Sequence, residues 1–240
     1  PTGLLSLDVA LGGGFPAGAI SETIGANKAG KSWLYWQVIR QLQYYLGPKM
    51  RVLIAMTEMR ADKTQGRKAG GAVALNDDDI NKMEAARVAA GEPKYTKEER
   101  AEMKKEIGEI YELHGMAGED LYDGILAAVE SNAYHLIIID SFGMIMSGAE
   151  AEAESIRDKT YGGSAGVNTQ FLHKLSGLLT IDDEYGKARD ACIIGINQIR
   201  DDIKDPNKEY KTPGGKALDH AKFIDLFVRS GKMLGAEEPI

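Results

Sequence analysis

Five stretches of the chain, at residues 19–24, 51–56, 136–140, 191–197 and 223–228, are mostly apolar and bounded by turn residues. Most of them run without polar alternation, the pattern of strands that are covered on both faces. The segments between them instead space their apolar residues three and four apart. Leu34, Val38 and Leu42 share one face of a helix predicted over residues 32–45, and Val167, Phe171, Leu175 and Leu178 share one face of another over residues 167–179. Strands alternating with helices predict an α/β fold: a mostly parallel central sheet flanked by crossover helices.

Residues 75–115 break this rhythm. They are charged and helix-favouring, with an acidic start at Asp77, Asp78 and Asp79 and a break at Gly91-Glu92-Pro93, which predicts an inserted helical hairpin. Thr96 and Glu99 are spaced as a capping box for its second helix. Met103, Ile107 and Ile110 then form one narrow apolar stripe, expected to dock on the core or on a neighbouring subunit.

With 240 residues, 43% of them hydrophobic, the chain fills one main domain spanning residues 1–240, the insertion included, and not two. The longest apolar runs, such as residues 136–139, are far too short to cross a bilayer, and no basic segment leads into a hydrophobic one at the start. A cytoplasmic protein without membrane contact is the expectation. The single cysteine, Cys192, sits in an apolar run and is expected to be a buried reduced thiol. Four scattered histidines, at 114, 135, 173 and 220, lack zinc-ligand spacing. The formal net charge of −7 excludes a surface that is basic all over, so any nucleic-acid contact has to come from local segments. A motif begins almost at Pro1 and residues 235–240 follow directly on a strand-like segment, so the expectation is a core whose terminal regions are absent from this sequence.

The most specific chemistry lies at Gly25, Ala26, Asn27, Lys28, Ala29, Gly30, Lys31 and Ser32, which fit the pattern GxxxxGK[S/T] between a predicted strand and a predicted helix. In that setting glycines let backbone N–H groups turn in around phosphates, and the helix aims its positive end at the same anion. Lys31 supplies a mobile cation and Ser32 a ligand for Mg²⁺. The apolar run of residues 134–139 ends at Asp140, which offers the second acid that Mg²⁺ needs. ATP with Mg²⁺ is the ligand this pairing predicts.

Further segments follow in a recognisable order. Pro1-Thr2-Gly3-Leu4-Leu5-Ser6-Leu7-Asp8 opens the chain, Thr57-Glu58-Met59-Arg60-Ala61-Asp62 follows the second strand, Asn197-Gln198-Ile199-Arg200 ends the fourth, and Gly214-Gly215-Lys216-Ala217-Leu218 precedes the last. Together with the phosphate loop they resemble the RecA family of DNA recombinases, over nearly the whole chain apart from residues 75–115. The resemblance implies a RecA-like ATPase core in which Glu58 is the catalytic base, acting beside Lys31, and Asp62 contacts adenine. Gln198 would sense the γ-phosphate and lead into a DNA-binding loop. By position, the two DNA-facing loops are residues 148–163 and 200–215. Arg157, Lys159, Arg200 and Lys204 are candidates for phosphate contact, with backbone N–H groups at Gly162, Gly163, Gly214 and Gly215. His173 falls where the family has a DNA-facing arginine, and Ile203 and Tyr161 are candidate wedges between bases. Both loops are also acidic, through Glu150, Glu152, Glu154, Asp201, Asp202 and Asp205, which weakens phosphate binding.

The activity implied is ATP-dependent DNA recombination and repair: self-association into a helical filament on single-stranded DNA, then homologous pairing and strand exchange with double-stranded DNA. Alternatives are a ring helicase or repair accessory ATPase of the same fold, disfavoured by the run from Asn197 to Arg200, and a non-catalytic nucleotide-binding scaffold, disfavoured by Glu58. Gln65 stands where cellular members stack a tyrosine on adenine, which implies looser base selectivity. The helical insertion fits a phage-like or otherwise divergent branch.

Overall fold

A computed structural model describes residues 1–57, 66, 77–105, 108–115, 118–142, 163–182, 186–199, 215–229 and 231. Its strands are β1 (Ile20–Gly25), β2 (Arg51–Met56), β3 (Glu109–His114), β4 (Leu136–Asp140), β5 (Cys192–Gln198) and β6 (Lys222–Val228). Its helices are α1 (Leu5–Ala10), α2 (Lys31–Leu46), α3 (Asp77–Ala89), α4 (Lys97–Met103), α5 (Gly118–Glu130), α6 (Gly163–Thr180) and α7 (Gly215–Ala221). The strands form one sheet in the order β3-β2-β4-β5-β1-β6, and every neighbouring pair is parallel.

Burial on both faces explains the unbroken apolar runs. Along β2, Val52 and Ile54 face Trp36 and Ile39 of α2, together with Ile138 and Ile194. Leu53 and Ala55 point the other way, into a cluster with Ile125 of α5 and Phe171 and Leu175 of α6. Each fully buried Val, Leu or Ile contributes about 1.5–3 kcal/mol, so these two layers dominate the energetics of the sheet. The predicted apolar face of α6 is the one that packs: Phe171 and Leu175 are buried, with Val167 and Leu178 partly buried beside them.

The region at 77–114 holds a helical hairpin but also a sixth strand that the sequence pattern did not predict. Thr96 caps α4 as expected: its hydroxyl accepts from the Glu99 N–H at 3.1 Å, and Glu99 accepts from the Thr96 N–H at 2.7 Å. Arg100 ties α4 to α3 through Glu84 at 3.1 Å and Asn81 at 2.7 Å, while Ile80 of α3 is fully buried. The helix stops at Met103, however, and Ile110 lies on β3, paired with Val52 of β2. The expected helical stripe through Met103 and Ile110 is therefore incorrect. The segment 109–114 forms an edge strand, where alternating exposure leaves no continuous apolar run, and Ile110 packs against the α2 side of the core. Cys192, at the start of β5, is only partly buried; burial pushes its thiol up to about 12. Among the described residues no helix is long and apolar enough to cross a membrane.

Parallel pairing brings the carboxyl ends of four adjacent strands to one edge. Gly25 of β1 lies opposite Gln198 of β5, Asp140 of β4 opposite Ile196 of β5, and Met56 of β2 opposite Asp140. Loops leaving such an edge are where open α/β sheets bind ligands.

Candidate nucleotide-binding site

The phosphate loop begins where β1 meets β6. A Cβ on Gly25 would sit 2.3 Å from the carbonyl oxygen of Val228, so the neighbouring strand leaves room for no side chain. The chain then turns through Lys28 at φ 61° and Gly30 at φ 103°, left-handed backbone that glycine adopts freely. Within the turn the Ala29 N–H donates to the Ala26 carbonyl at 3.3 Å. Gly30 is the N-cap of α2 and brings no side-chain cap, so the N–H groups of the first turn remain for a bound anion.

Lys31 is buried at the mouth of α2. Its Nζ donates to the carbonyl oxygens of Gly25 at 2.9 Å and Ala26 at 2.7 Å, which parks the cation directly inside the loop. Burial pushes the ammonium below the ordinary lysine value, and the Asp140 carboxylate works against that shift. Asn27, Lys28, Gly30, Lys31, Ser32, Trp33, Asp140, Ile196 and Gln198 line one cleft of about 410 Å³. A cationic lysine, uncapped helix N–H groups, a hydroxyl and a carboxylate around one opening form a donor set that fits a phosphate chain with a divalent cation. Ser32 and Asp140 are the residues that could hold the metal.

Thr57, which has no role of its own in the sequence pattern, fixes the Asp140 end of the cleft. Its N–H donates to the Asp140 carbonyl at 3.0 Å, and its hydroxyl accepts from the Ser141 N–H at 3.2 Å. The bonds tie the exits of β2 and β4 together. The only warning in the sequence is a hydroxyl at a strand end.

Behind Gln198 lies a buried polar chain that was also missed. The Gln198 N–H donates to Asn197 Oδ1 at 3.2 Å, and Asn197 Nδ2 donates to Glu22 Oε1 at 2.8 Å. The other Glu22 oxygen accepts from Lys222 at 2.6 Å. Burial raises the Glu22 carboxyl above its ordinary value despite these bonds. Burial also opposes the Lys222 charge, but hydrogen bonds to Asp225, Glu22 and Asp219 outweigh it and hold the ammonium well above the usual lysine range. The readable signal was Glu22 itself: a charged residue in the middle of a central strand needs a partner.

The structure thus gathers the phosphate loop, Asp140 and Gln198. Glu58, Asp62, Arg157, Tyr161, Gly162, Arg200, Ile203, Lys204 and Gly214 lie outside the described residues. Gly215 opens α7, and His173 is exposed on α6, not among the residues lining the cleft.

No protein-family model matches the chain. Curated proteins do. Protein RecA of Thermus aquaticus is 29% identical over 232 residues, 95% of this chain and 55% of that protein. Protein RecA of Oceanobacillus iheyensis is 30% identical over 237 residues, 98% of this chain and 55% of the relative. For Protein RecA of Rhodopirellula baltica the figures are 30% over 242 residues, 100% and 52%. The chain spans about half the length of the curated relatives it matches.

Proposed function

This chain belongs to the RecA family, and from that premise we propose that it is the ATP-hydrolysing core of a DNA recombinase. In this reading it binds ATP with Mg²⁺ in the cleft, assembles as a helical filament on single-stranded DNA, and exchanges that strand with homologous double-stranded DNA. The observation that carries the reading is the convergence of Lys31, Ser32, Asp140 and Gln198 on one cleft, in a chain similar along its whole length to RecA proteins.

Each residue then has a stated task. Lys31 exchanges the carbonyls of Gly25 and Ala26 for β- and γ-phosphate oxygens, helped by the N–H groups of the loop and of α2. Ser32 and Asp140 are the residues that would hold Mg²⁺. Bound there, Mg²⁺ would supply positive charge against the phosphate chain. Glu58 directly follows Thr57 at the exit of β2; it orients a water for attack on the γ-phosphorus and accepts its proton. Gln198 donates to the γ-phosphate and carries its presence into the segment beginning at Arg200. Asp62 contacts the adenine. Arg157, Lys159, Arg200 and Lys204 meet DNA phosphates, with the N–H groups of Gly162, Gly163, Gly214 and Gly215; Tyr161 and Ile203 contact bases, and His173 flanks them.

Electron microscopy of the protein with single-stranded DNA and a non-hydrolysable ATP analogue tests this. Helical filaments that need both components support the recombinase reading. Closed rings, or particles that never polymerise on DNA, overturn it in favour of another ATPase of the same fold.

A further inference from the structure

The cleft contains one large side chain that the phosphate chemistry does not use. Trp33 follows Ser32 in the first turn of α2, lines the cleft, and keeps 42% of its surface exposed. Its neighbour one turn inward, Trp36, is completely buried. Among the described residues the Trp33 ring stacks on no other aromatic ring and carries no cation on its face. Among the described residues that line the cleft, this indole beside Lys28, Lys31 and Ser32 is the one large apolar side chain open to water, since Ile196, also in the lining, is buried. A ligand held there by its phosphates alone would leave that surface wet. One that carries a flat ring beyond the phosphates would cover it.

We propose that Trp33 is the platform on which the base of the bound nucleotide stacks, and that it gives the site a preference for purines over pyrimidines. The proposal rests on the reading of this cleft as a nucleotide site and goes on to name what recognises the base. Two consequences follow from the physics of stacking. The attraction grows with ring overlap, so the two-ring purines bind more tightly than the one-ring pyrimidines. A π-face does not distinguish one purine's edge groups from another's, so adenine and guanine differ little through this contact.

The chain has two tryptophans, so its fluorescence reports the contact directly. Titration of the full chain, with Mg²⁺ present, uses ADP, GDP, CDP and inorganic tripolyphosphate as probes. The purine nucleotides should change Trp33 emission strongly and tripolyphosphate should not, although it competes with ADP for the cleft. Trp33→Phe, which keeps an aromatic face and leaves Trp36 as the only tryptophan, should lose the tryptophan-selective signal while calorimetry still shows ADP binding. Trp33→Ala should weaken ADP and GDP about tenfold, as expected for loss of one base-aromatic stack, erase most of their advantage over CDP, and leave tripolyphosphate affinity unchanged.

ADP affinity unaltered in Trp33→Ala overturns the proposal. So does an equal loss for ADP and tripolyphosphate, which would mean that the indole supports the loop and not the base. An alanine variant that binds nucleotide normally but no longer self-associates would assign Trp33 to a contact between copies of the chain instead. If the wild-type protein binds neither tripolyphosphate nor any nucleotide, the phosphate site itself is misassigned and the stacking proposal falls with it. Tripolyphosphate binding thus separates failure of the site from failure of the platform.

Discussion

Lys222, at the start of β6, donates a 2.6 Å hydrogen bond to Glu22, whose carboxylate has no exposed surface in the middle of β1. Asp225 at 2.7 Å and Asp219 at 3.0 Å share the same ammonium. Removing the lysine strands a buried carboxylate whose other hydrogen bond among the described residues comes from Asn197. Lys222→Met should therefore destabilise the fold by about 3–5 kcal/mol, the usual range for breaking a buried ion pair from one side. Adding Glu22→Gln should restore a large part of the loss, because the amide needs no counter-charge. Urea unfolding of the two variants checks both statements, and a double variant no more stable than Lys222→Met contradicts them.

The same pair makes a signed statement about pH. Lys222 is held above the ordinary lysine value in the folded chain, so the folded state keeps this proton more tightly than the unfolded one. Its stabilisation is fully present below the unfolded value, roughly pH 10.4, and is lost as pH rises through the higher folded value. The stability gap between wild type and Lys222→Met should accordingly be widest near neutrality and shrink in alkaline solution. Urea midpoints at neutral pH and at about pH 11 measure it, and a gap that widens with pH is the contrary result.

Lys31→Ala removes the charge that now bonds Gly25 and Ala26 and, with nucleotide present, the phosphates. No other cation is buried in that loop to replace it. ATP turnover should vanish and ATP affinity should fall by on the order of 100-fold or more, given that charge-assisted bonds are roughly twice as strong as neutral ones. Calorimetry and phosphate release are the readouts; near-normal hydrolysis would remove the phosphate-loop assignment.

Gln198 sits opposite Gly25 and joins the buried chain through Asn197. If its amide reports the γ-phosphate, Gln198→Ala should reduce the ratio of single-stranded DNA affinities measured with ATP analogue and with ADP. ADP affinity should hardly change, since ADP lacks the contacted group. Couplings of this kind amount to ~1–3 kcal/mol, or about 5- to 150-fold in affinity. An unchanged ratio would leave Gln198 as a strand-end residue.

What the sequence made legible was whatever repeats a simple physical rule. Strands buried on both faces, such as 136–140, have no polar alternation to blur their limits, and both ends of β4 were read correctly. The phosphate loop is legible because its spacing is dictated by an anion and a helix end. The edge strand β3 was not legible, since Met103, Ile107 and Ile110 fall at helical intervals while only pairing with β2 makes Ile110 part of a strand. The buried chain from Lys222 to Asn197 joins residues 175 and 200 positions apart from Glu22, a juxtaposition that only the strand order β5-β1-β6 creates. Thr57 was hidden for the same reason, because its partners, Asp140 and Ser141, arrive from β4.

If ATP hydrolysis by this chain serves DNA binding, the rate of phosphate release must respond to single-stranded DNA. The Mg²⁺-dependent rate should rise when DNA is added and fall by on the order of 100-fold in Glu58→Gln, the loss expected when a general base is neutralised, while that variant still binds ATP. A rate indifferent to DNA, or a Glu58→Gln variant that turns over as fast as the wild type, would contradict it.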